Sequence, residues 1–258
     1  MEYGVIGFPL IHSYSVEIHR LIAPYRYERR ELQLEELPGF FEKRDFLGIN
    51  VTIPYKQAVI PFLDEIDPEA REIGAVNTIV NRSGRLIGYN TDLYGMTHML
   101  RRAGIDPAGK KVLIFGTGGT SLTALRVCER LNAREILRLS RTGKAGAIPY
   151  EEALLHHRDA QILINTTPCG MFPHEETMAL DPAAFPNLEG AADAVYNPLR
   201  TRFIQRATEM GVPAEGGLYM LVAQAVRASE LFTGIPCKRE EAIFREVLAE
   251  KTKAEGSR

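Results

Sequence analysis

The stretch Lys110–Leu131, KKVLIFGTGGTSLTALRVCERL, decides how this chain of 258 residues is read. Lys110–Phe115 (KKVLIF) has the short apolar pattern of a buried strand. Gly116, Gly118 and Gly119 follow at once, and a helical pattern then runs through Leu131. Glycine permits the tight turn and lets backbone N–H groups approach a pyrophosphate, whose charge the helix N-terminus favours. A glycine pair by itself is equally well explained as a plain strand–helix turn. Strand, glycine loop and helix in this order point instead to a dinucleotide site. Ser121 stands where the third glycine of such loops is usual, and it is small enough to keep the helix close to the strand.

The end of the next strand bears on the choice of nucleotide. NAD-binding units place an Asp or Glu about 20 residues on, to hold the ribose 2′-hydroxyl. This chain has Leu139-Ser140-Arg141-Thr142 there, with Lys144 close by. A guanidinium in place of a carboxylate suits a 2′-phosphate, so NADP is the expected cofactor. A solvated basic turn is the ordinary alternative.

Outward from this segment, short apolar runs alternate with helical stretches, which indicates an α/β fold. Before it, Glu2–Gly7, Leu47–Thr52, Ala75–Asn81 and Arg85–Tyr89 read as strands, the last two joined by the turn Ser83-Gly84. Val16–Ala23, the region Gln57–Leu63 and Pro68–Ile73 read as helical. After it, Glu135–Ser140, Ala160–Asn165 and Ala191–Tyr196 are strand candidates, while Leu93–Ala103 and Thr201–Met210 are helical. The expectation is two domains: residues 1–92 form an N-terminal α/β substrate-binding unit with a largely parallel sheet, and residues 93–216 a Rossmann-type NADP-binding unit. The helices Leu218–Thr233 and Arg239–Lys251, within 217–258, are expected to pack back on the first domain.

Composition narrows the class of partner. Apolar residues make up 45% and charged residues 25%, ordinary values for a globular protein, and the net charge is −2. Nothing there favours nucleic acid or a membrane surface, which leaves a small metabolite. No run approaches the roughly 18 apolar residues of a membrane span, and the N-terminus lacks a signal-peptide pattern. Cys128, Cys169 and Cys237 form no CxxC pair, so neither a disulfide framework nor a metal site is indicated. A cytoplasmic location follows.

Polar residues collect where apolar runs end: Ser13 and Ser15, Asn50 to Lys56 (NVTIPYK), Ala75 to Thr78 (AVNT) and Tyr89 to Asp92 (YNTD). Taken singly, each has a structural explanation. Ser13 or Ser15 can cap a helix, Lys56 can lie on the surface, Asn77 can sit in a turn, and Asp92 can cap the next helix. His12, the adjacent His156-His157, Cys128 and Cys169 carry no arrangement that suggests chemistry.

Together with GVIGFPLIHSYS, GTGGTS, SRT, NTTPCGM, YNP and GGLYMLVAQA, these stretches resemble, in order and over nearly the whole chain, the shikimate dehydrogenase family. The resemblance implies NADPH-dependent reversible reduction of 3-dehydroshikimate to shikimate in aromatic amino-acid biosynthesis, by a monomer or homodimer. It implies Ser13 and Ser15 at the substrate carboxylate, and Thr52, Asn77, Asp92 and Gln224 at the ring hydroxyls. Lys56 would stand next to the reacting oxygen with Asp92 beside it, and Tyr196 nearby. Gly116, Thr117, Gly118, Gly119, Thr120 and Ser121 would cradle the pyrophosphate. Ser140, Arg141 and Thr142 would hold the 2′-phosphate, and Thr166, Ala194 and Gly217 the nicotinamide end. Val16, Arg20 and Ser140 depart from the family pattern, which usually has proline, asparagine and asparagine there.

The expected chemistry is hydride addition to a ketone with a proton from Lys56. A quinate/shikimate dehydrogenase using NAD would share the scaffold, and a ligand sensor without catalysis would retain the fold. Paired serines and Arg141 argue against the first, and Lys56 with Asp92 against the second.

Overall fold

Alternating strands and helices fold into two units, each with its own sheet and core. The computed structural model describes residues 1–10, 14–143 and 145–255. The first unit comprises Met1–Tyr94 and Val222–Val247, and the second Gly95–Leu221 with the chain from Leu248 on.

In chain order the first unit contains β1 (Tyr3–Gly7), α1 (Ser15–Ile22), β2 (Tyr27–Glu31), α2 (Leu37–Lys43), β3 (Gly48–Val51), β4 (Glu65–Ile66), α3 (Pro68–Ile73), β5 (Thr78–Arg82) and β6 (Arg85–Tyr89). Helix α4 (Asp92–Arg102) begins in this unit and continues into the next. The sheet order is β2-β1-β3-β5-β6-β4. It is mixed rather than largely parallel: β3–β5 pairs antiparallel, and so does β5–β6, where Ser83 and Gly84, both at positive φ, close a two-residue hairpin. Ile6, Ile49, Val51, Ile79 and Leu86 bury against Leu37, Phe40, Phe41 and Phe46 to form the core.

Two sequence expectations change here. The Gln57–Leu63 region is turns and one 3-10 turn at Ile60–Phe62 rather than an α-helix, since Pro61 interrupts the backbone donors. Strands β2 and β4 and helix α2 are additions to the elements expected from sequence. Strand β2 reads YERRE, an edge strand anchored by buried Tyr27 alone, so it shows no apolar alternation.

The second unit contains β7 (Lys111–Phe115), α5 (Gly119–Arg130), β8 (Glu135–Ser140), β9 (Ile148–Pro149), α6 (Tyr150–His156), β10 (Ile162–Asn165), β11 (Gly190–Asp193), α7 (Arg202–Glu209) and β12 (Ala214–Glu215). All its strands pair parallel, in the order β12-β11-β10-β7-β8-β9. That is the doubly wound Rossmann order, with the strand sequence reversing between β7 and β10. Helices α8 (Leu218–Thr233) and α9 (Glu240–Glu255) follow.

The segment Val222–Val247 returns to the first unit, where specific contacts fix it. Phe232 lies so close to β3 that a Cβ on Gly48 would come within 2.3 Å of its ring. Arg82 donates to the Leu231 carbonyl at 2.7 Å, and the Tyr94 hydroxyl meets Glu240 at 3.1 Å.

Candidate active site

In the first unit, strand ends carry the polar residues singled out in the sequence. Thr52 follows β3, and the next turn is closed by the Tyr55 N–H donating to the Thr52 carbonyl. The Val76 N–H then donates to the Lys56 carbonyl at 2.7 Å, which ties the Lys56 backbone to the segment before β5. Asp92 is the first residue of α4, where the helix N-terminus favours a carboxylate. Its Oδ2 accepts a hydrogen bond from Lys56 Nζ at 2.5 Å. The two side chains are only 13% and 8% exposed, so Lys56 is not the surface lysine its residue type suggests.

Asn77 is fixed through both backbone and side chain. Its N–H donates to the Tyr89 carbonyl, and its own carbonyl accepts from Val51 N–H at 2.8 Å. Its Oδ1 accepts from Thr91 N–H at 2.7 Å and from the Thr78 hydroxyl at 3.1 Å. Its Nδ2 donates to Thr91 Oγ1 at 3.0 Å and to Gln224 Oε1 at 3.5 Å. Residues 147 apart in sequence thus meet at one side chain, because α8 returns to this unit. Asn50 extends the network, donating to Thr78 Oγ1 at 3.0 Å and accepting from Tyr27 at 2.7 Å.

Ser15 is the first residue of α1 and is buried, while Tyr14 occupies the N-cap position without a side-chain cap bond. Ser15 is therefore not used as the cap that the sequence allowed. Ser13 and its neighbour His12 lie outside the described residues. The structure brings together Lys56 with Asp92 and Asn77 with Gln224; Thr52 stands half-buried at the end of β3. Asn50, Thr78, Thr91 and Tyr27, which reasoning from sequence gave no role, complete the polar set. The stretches of Asn50, Thr78 and Thr91 were visible as polar strand ends and that of Tyr27 was not, and the partners of all four are set by register and not by spacing.

The second unit holds the remaining expected residues. Gly116 has φ +116°, and a Cβ there would sit 2.7 Å from Thr166 Oγ1, so only glycine serves. Thr166 in turn donates to the Phe115 carbonyl at 2.5 Å, which joins the ends of β7 and β10 at the strand-order reversal. A Cβ on Gly118 would meet nothing within 4 Å, which leaves open space in front of the first turn of α5. Ser121 is fully buried against the sheet, the packing place of the missing third glycine. Thr117 and Thr120 flank this loop half-buried. Ser140 ends β8, and Arg141 and Thr142 are exposed in the turn that follows; Lys144 lies outside the described residues. Glycine geometry, open space, helix N-terminus and an accessible guanidinium together fit NADP.

Ala194 and Tyr196 follow β11, and Gly217 approaches Ala194 so closely that a Cβ on it would lie 2.3 Å from the Ala194 carbonyl oxygen. Cys128 is buried on α5, and burial raises its thiol to about 12, which suits a packing residue.

Residues 5–79 match the family model described as the shikimate dehydrogenase substrate binding domain. A shikimate dehydrogenase (NADP(+)) of Clostridium perfringens strain SM101 is 36% identical over 271 residues, covering 95% of this chain and 97% of the relative. The 1.5 Å crystal structure of shikimate dehydrogenase 1 from Peptoclostridium difficile superimposes with a TM-score of 0.89 at 34% identity, covering 97% and 99%. The shikimate 5-dehydrogenase of Thermus thermophilus, solved in complex with NADP(H) and shikimate, gives 0.85 at 33% identity, covering 95% and 99%. Among the described residues, no helix is long and apolar enough to cross a membrane.

His19 and Asp193 are buried titratable groups outside the expected set. Desolvation lowers His19 to about 3, opposed by a hydrogen bond with Asn50, so the imidazole stays neutral where it stacks on Tyr27 with ring centroids 3.8 Å apart. Asp193, fully buried at the end of β11, is pushed up to about 7 by burial, against hydrogen bonds from Thr201, Val195 and Asn165. A carboxyl raised from 3.8 binds its proton better folded than unfolded, so stability is lost as pH rises from about 4 to about 7. Urea denaturation of wild type and Asp193→Asn across that window checks this. Wild type should lose stability relative to the variant by on the order of 1 kcal/mol per pH unit, and the difference removes the His19 contribution common to both. Parallel curves would contradict a raised Asp193.

Proposed function

This chain belongs to the shikimate dehydrogenase family, and we propose that it performs that family's reaction, the NADPH-dependent, reversible reduction of 3-dehydroshikimate to shikimate in aromatic amino-acid biosynthesis. The single observation that carries this is the near-buried Lys56–Asp92 pair, an ammonium and a carboxylate 2.5 Å apart beside the Asn77–Gln224 network. Such a pair does little for a fold that could use apolar residues instead, but it supplies what ketone reduction needs.

NADPH, when bound, supplies the hydride that the carbonyl carbon accepts. Lys56 then acts on the oxygen, where negative charge develops. Its ammonium stabilises that charge and gives up a proton, leaving shikimate's hydroxyl. Asp92 holds Nζ in place and accepts a hydrogen bond from a neighbouring substrate hydroxyl. In the oxidative direction a neutral Lys56 takes the proton back. Thr52, Asn77 and Gln224 are assigned to the ring hydroxyls, and Ser13 and Ser15 to the carboxylate. Asn77 is suited to this role because its amide is already oriented by Thr78 and Thr91 before any ligand arrives.

On the cofactor side, Gly116 to Ser121 would hold the pyrophosphate, and Ser140, Arg141 and Thr142 the 2′-phosphate. Thr166, Ala194 and Gly217 would line the nicotinamide end, with Tyr196 near the substrate. The reaction is assigned to the cytoplasm, where biosynthetic reduction draws on NADPH. Asp92 and Lys56 retained together favour an enzyme over a ligand sensor.

Shikimate-dependent reduction of NADP, followed at the NADPH absorbance band, tests the assignment. Lys56→Ala should lower kcat by about 10²–10⁴-fold with the fold intact, the range for an acid–base residue; near-normal turnover would refute it. Arg141→Ala should reduce the preference for NADPH over NADH, as a ratio of kcat/KM, by about tenfold or more. An unchanged ratio would remove Arg141 from the 2′-phosphate.

A further inference from the structure

Asp193 is a fully buried carboxylate that the reaction above does not use. Its Oδ1 accepts from Asn165 Nδ2 at 2.9 Å and from the Val195 N–H at 2.9 Å, and its Oδ2 accepts from the Thr201 hydroxyl at 2.7 Å. All three donors are neutral, so no cation compensates the burial. A charge-bearing group placed there at such cost calls for a reason beyond packing.

The three donors sit on three different segments. Asn165 ends β10, and its side chain organises the loop that follows. Its Oδ1 accepts from Thr167 N–H at 3.0 Å and Oγ1 at 2.7 Å, and its Nδ2 also reaches the Cys169 carbonyl at 3.3 Å. Val195 follows β11, and its carbonyl accepts from the Gly217 N–H at 2.9 Å. Thr201 caps α7 through the Ile204 N–H. The Ala194 N–H bonds the Asn165 carbonyl at 2.8 Å, closing the circuit between the two strand ends. Thr166, Ala194 and Gly217, the residues assigned to the nicotinamide end, are each adjacent in sequence or one hydrogen bond away from a partner of Asp193.

We propose that Asp193 is a positioning residue for the cofactor: its Oδ1 clasps Asn165 and Val195 so that the loops after β10 and β11 present Thr166, Ala194 and Gly217 in one fixed arrangement. This rests on the NADP assignment above. The working atom is Oδ1, because of the two carboxylate oxygens it is the one that accepts from both loops. Asparagine at 193 keeps that oxygen and turns its amide toward Thr201, whose hydroxyl can accept. Leucine keeps the branched shape, though it is bulkier, and removes the acceptor shared by Asn165 and Val195.

The test titrates NADPH, followed by its own fluorescence, into wild type, Asp193→Asn, Asp193→Ala and Asp193→Leu, each checked for cooperative melting. Shikimate affinity is measured in parallel by calorimetry without cofactor. The Ala and Leu variants are expected to raise the NADPH Kd at least about tenfold while leaving shikimate affinity unchanged. The Asn variant should stay within about threefold of wild type, since its Oδ1 bonds remain. If only one of the Ala and Leu variants folds, that one decides. If neither folds, the Asn variant decides, and a folded Asn variant weakened tenfold for NADPH overturns the proposal. NADPH binding unchanged in Ala or Leu, or NADPH and shikimate affinities falling together, also overturns it. A wild-type chain that binds no NADPH defeats the underlying assignment instead.

Discussion

An ammonium and a carboxylate held 2.5 Å apart, with almost no exposure to water, set the terms for the first unit. Neither charge is stable there alone, since losing one partner leaves the other desolvated. The backbone answers this requirement twice. Lys56 is pinned through its carbonyl to Val76, and Asp92 is placed at the first turn of α4, where the helix end favours its charge. The order of the sheet makes this possible, because β3, β5 and β6 are neighbours and their ends deliver Thr52, Asn77 and Asp92 to one region.

The rest of the polar set is arranged on the same principle of satisfied burial. Asn77 has its side-chain acceptor and donor both occupied by Thr78, Thr91 and Gln224, so its orientation is decided by the protein. The second unit meets a different requirement, a glycine loop between β7 and α5 that we propose holds an anionic dinucleotide by its backbone. Gly116, with its positive φ and its close contact to Thr166, gives the chain no alternative residue at the end of β7. Asp193 Oδ1 does for Asn165 and Val195 what Asn77 Oδ1 does for Thr78 and Thr91: a buried acceptor settles where neighbouring donors point.

Much of this was legible in the sequence where one residue type has one physical use. The glycines at 116, 118 and 119 after KKVLIF specified the strand–turn–helix of β7 and α5, and Ser83-Gly84 specified the hairpin whose antiparallel pairing the alternation of elements had hidden. Strand β2 was not legible, because an edge strand needs only Tyr27 buried and its other residues face solvent. Pro61 separates the Gln57–Leu63 region from a true helix, a signal present in the sequence but outweighed by apolar spacing. Lys56 and Asp92 were each indistinguishable from a surface lysine and a helix cap until the resemblance joined them. Asp193 was concealed inside an apolar strand, GAAD, where its partners come from segments 28 residues before and 8 residues after it.

The Lys56–Asp92 pair is tested most directly by a double-mutant cycle on kcat/KM for shikimate with NADP, using Lys56→Ala, Asp92→Ala and the double variant, all checked for folding. If the two side chains act as one unit, the double variant loses about as much activity as the worse single variant, leaving a large coupling energy. Losses that multiply, as for independent residues, would contradict the pair as the catalytic centre.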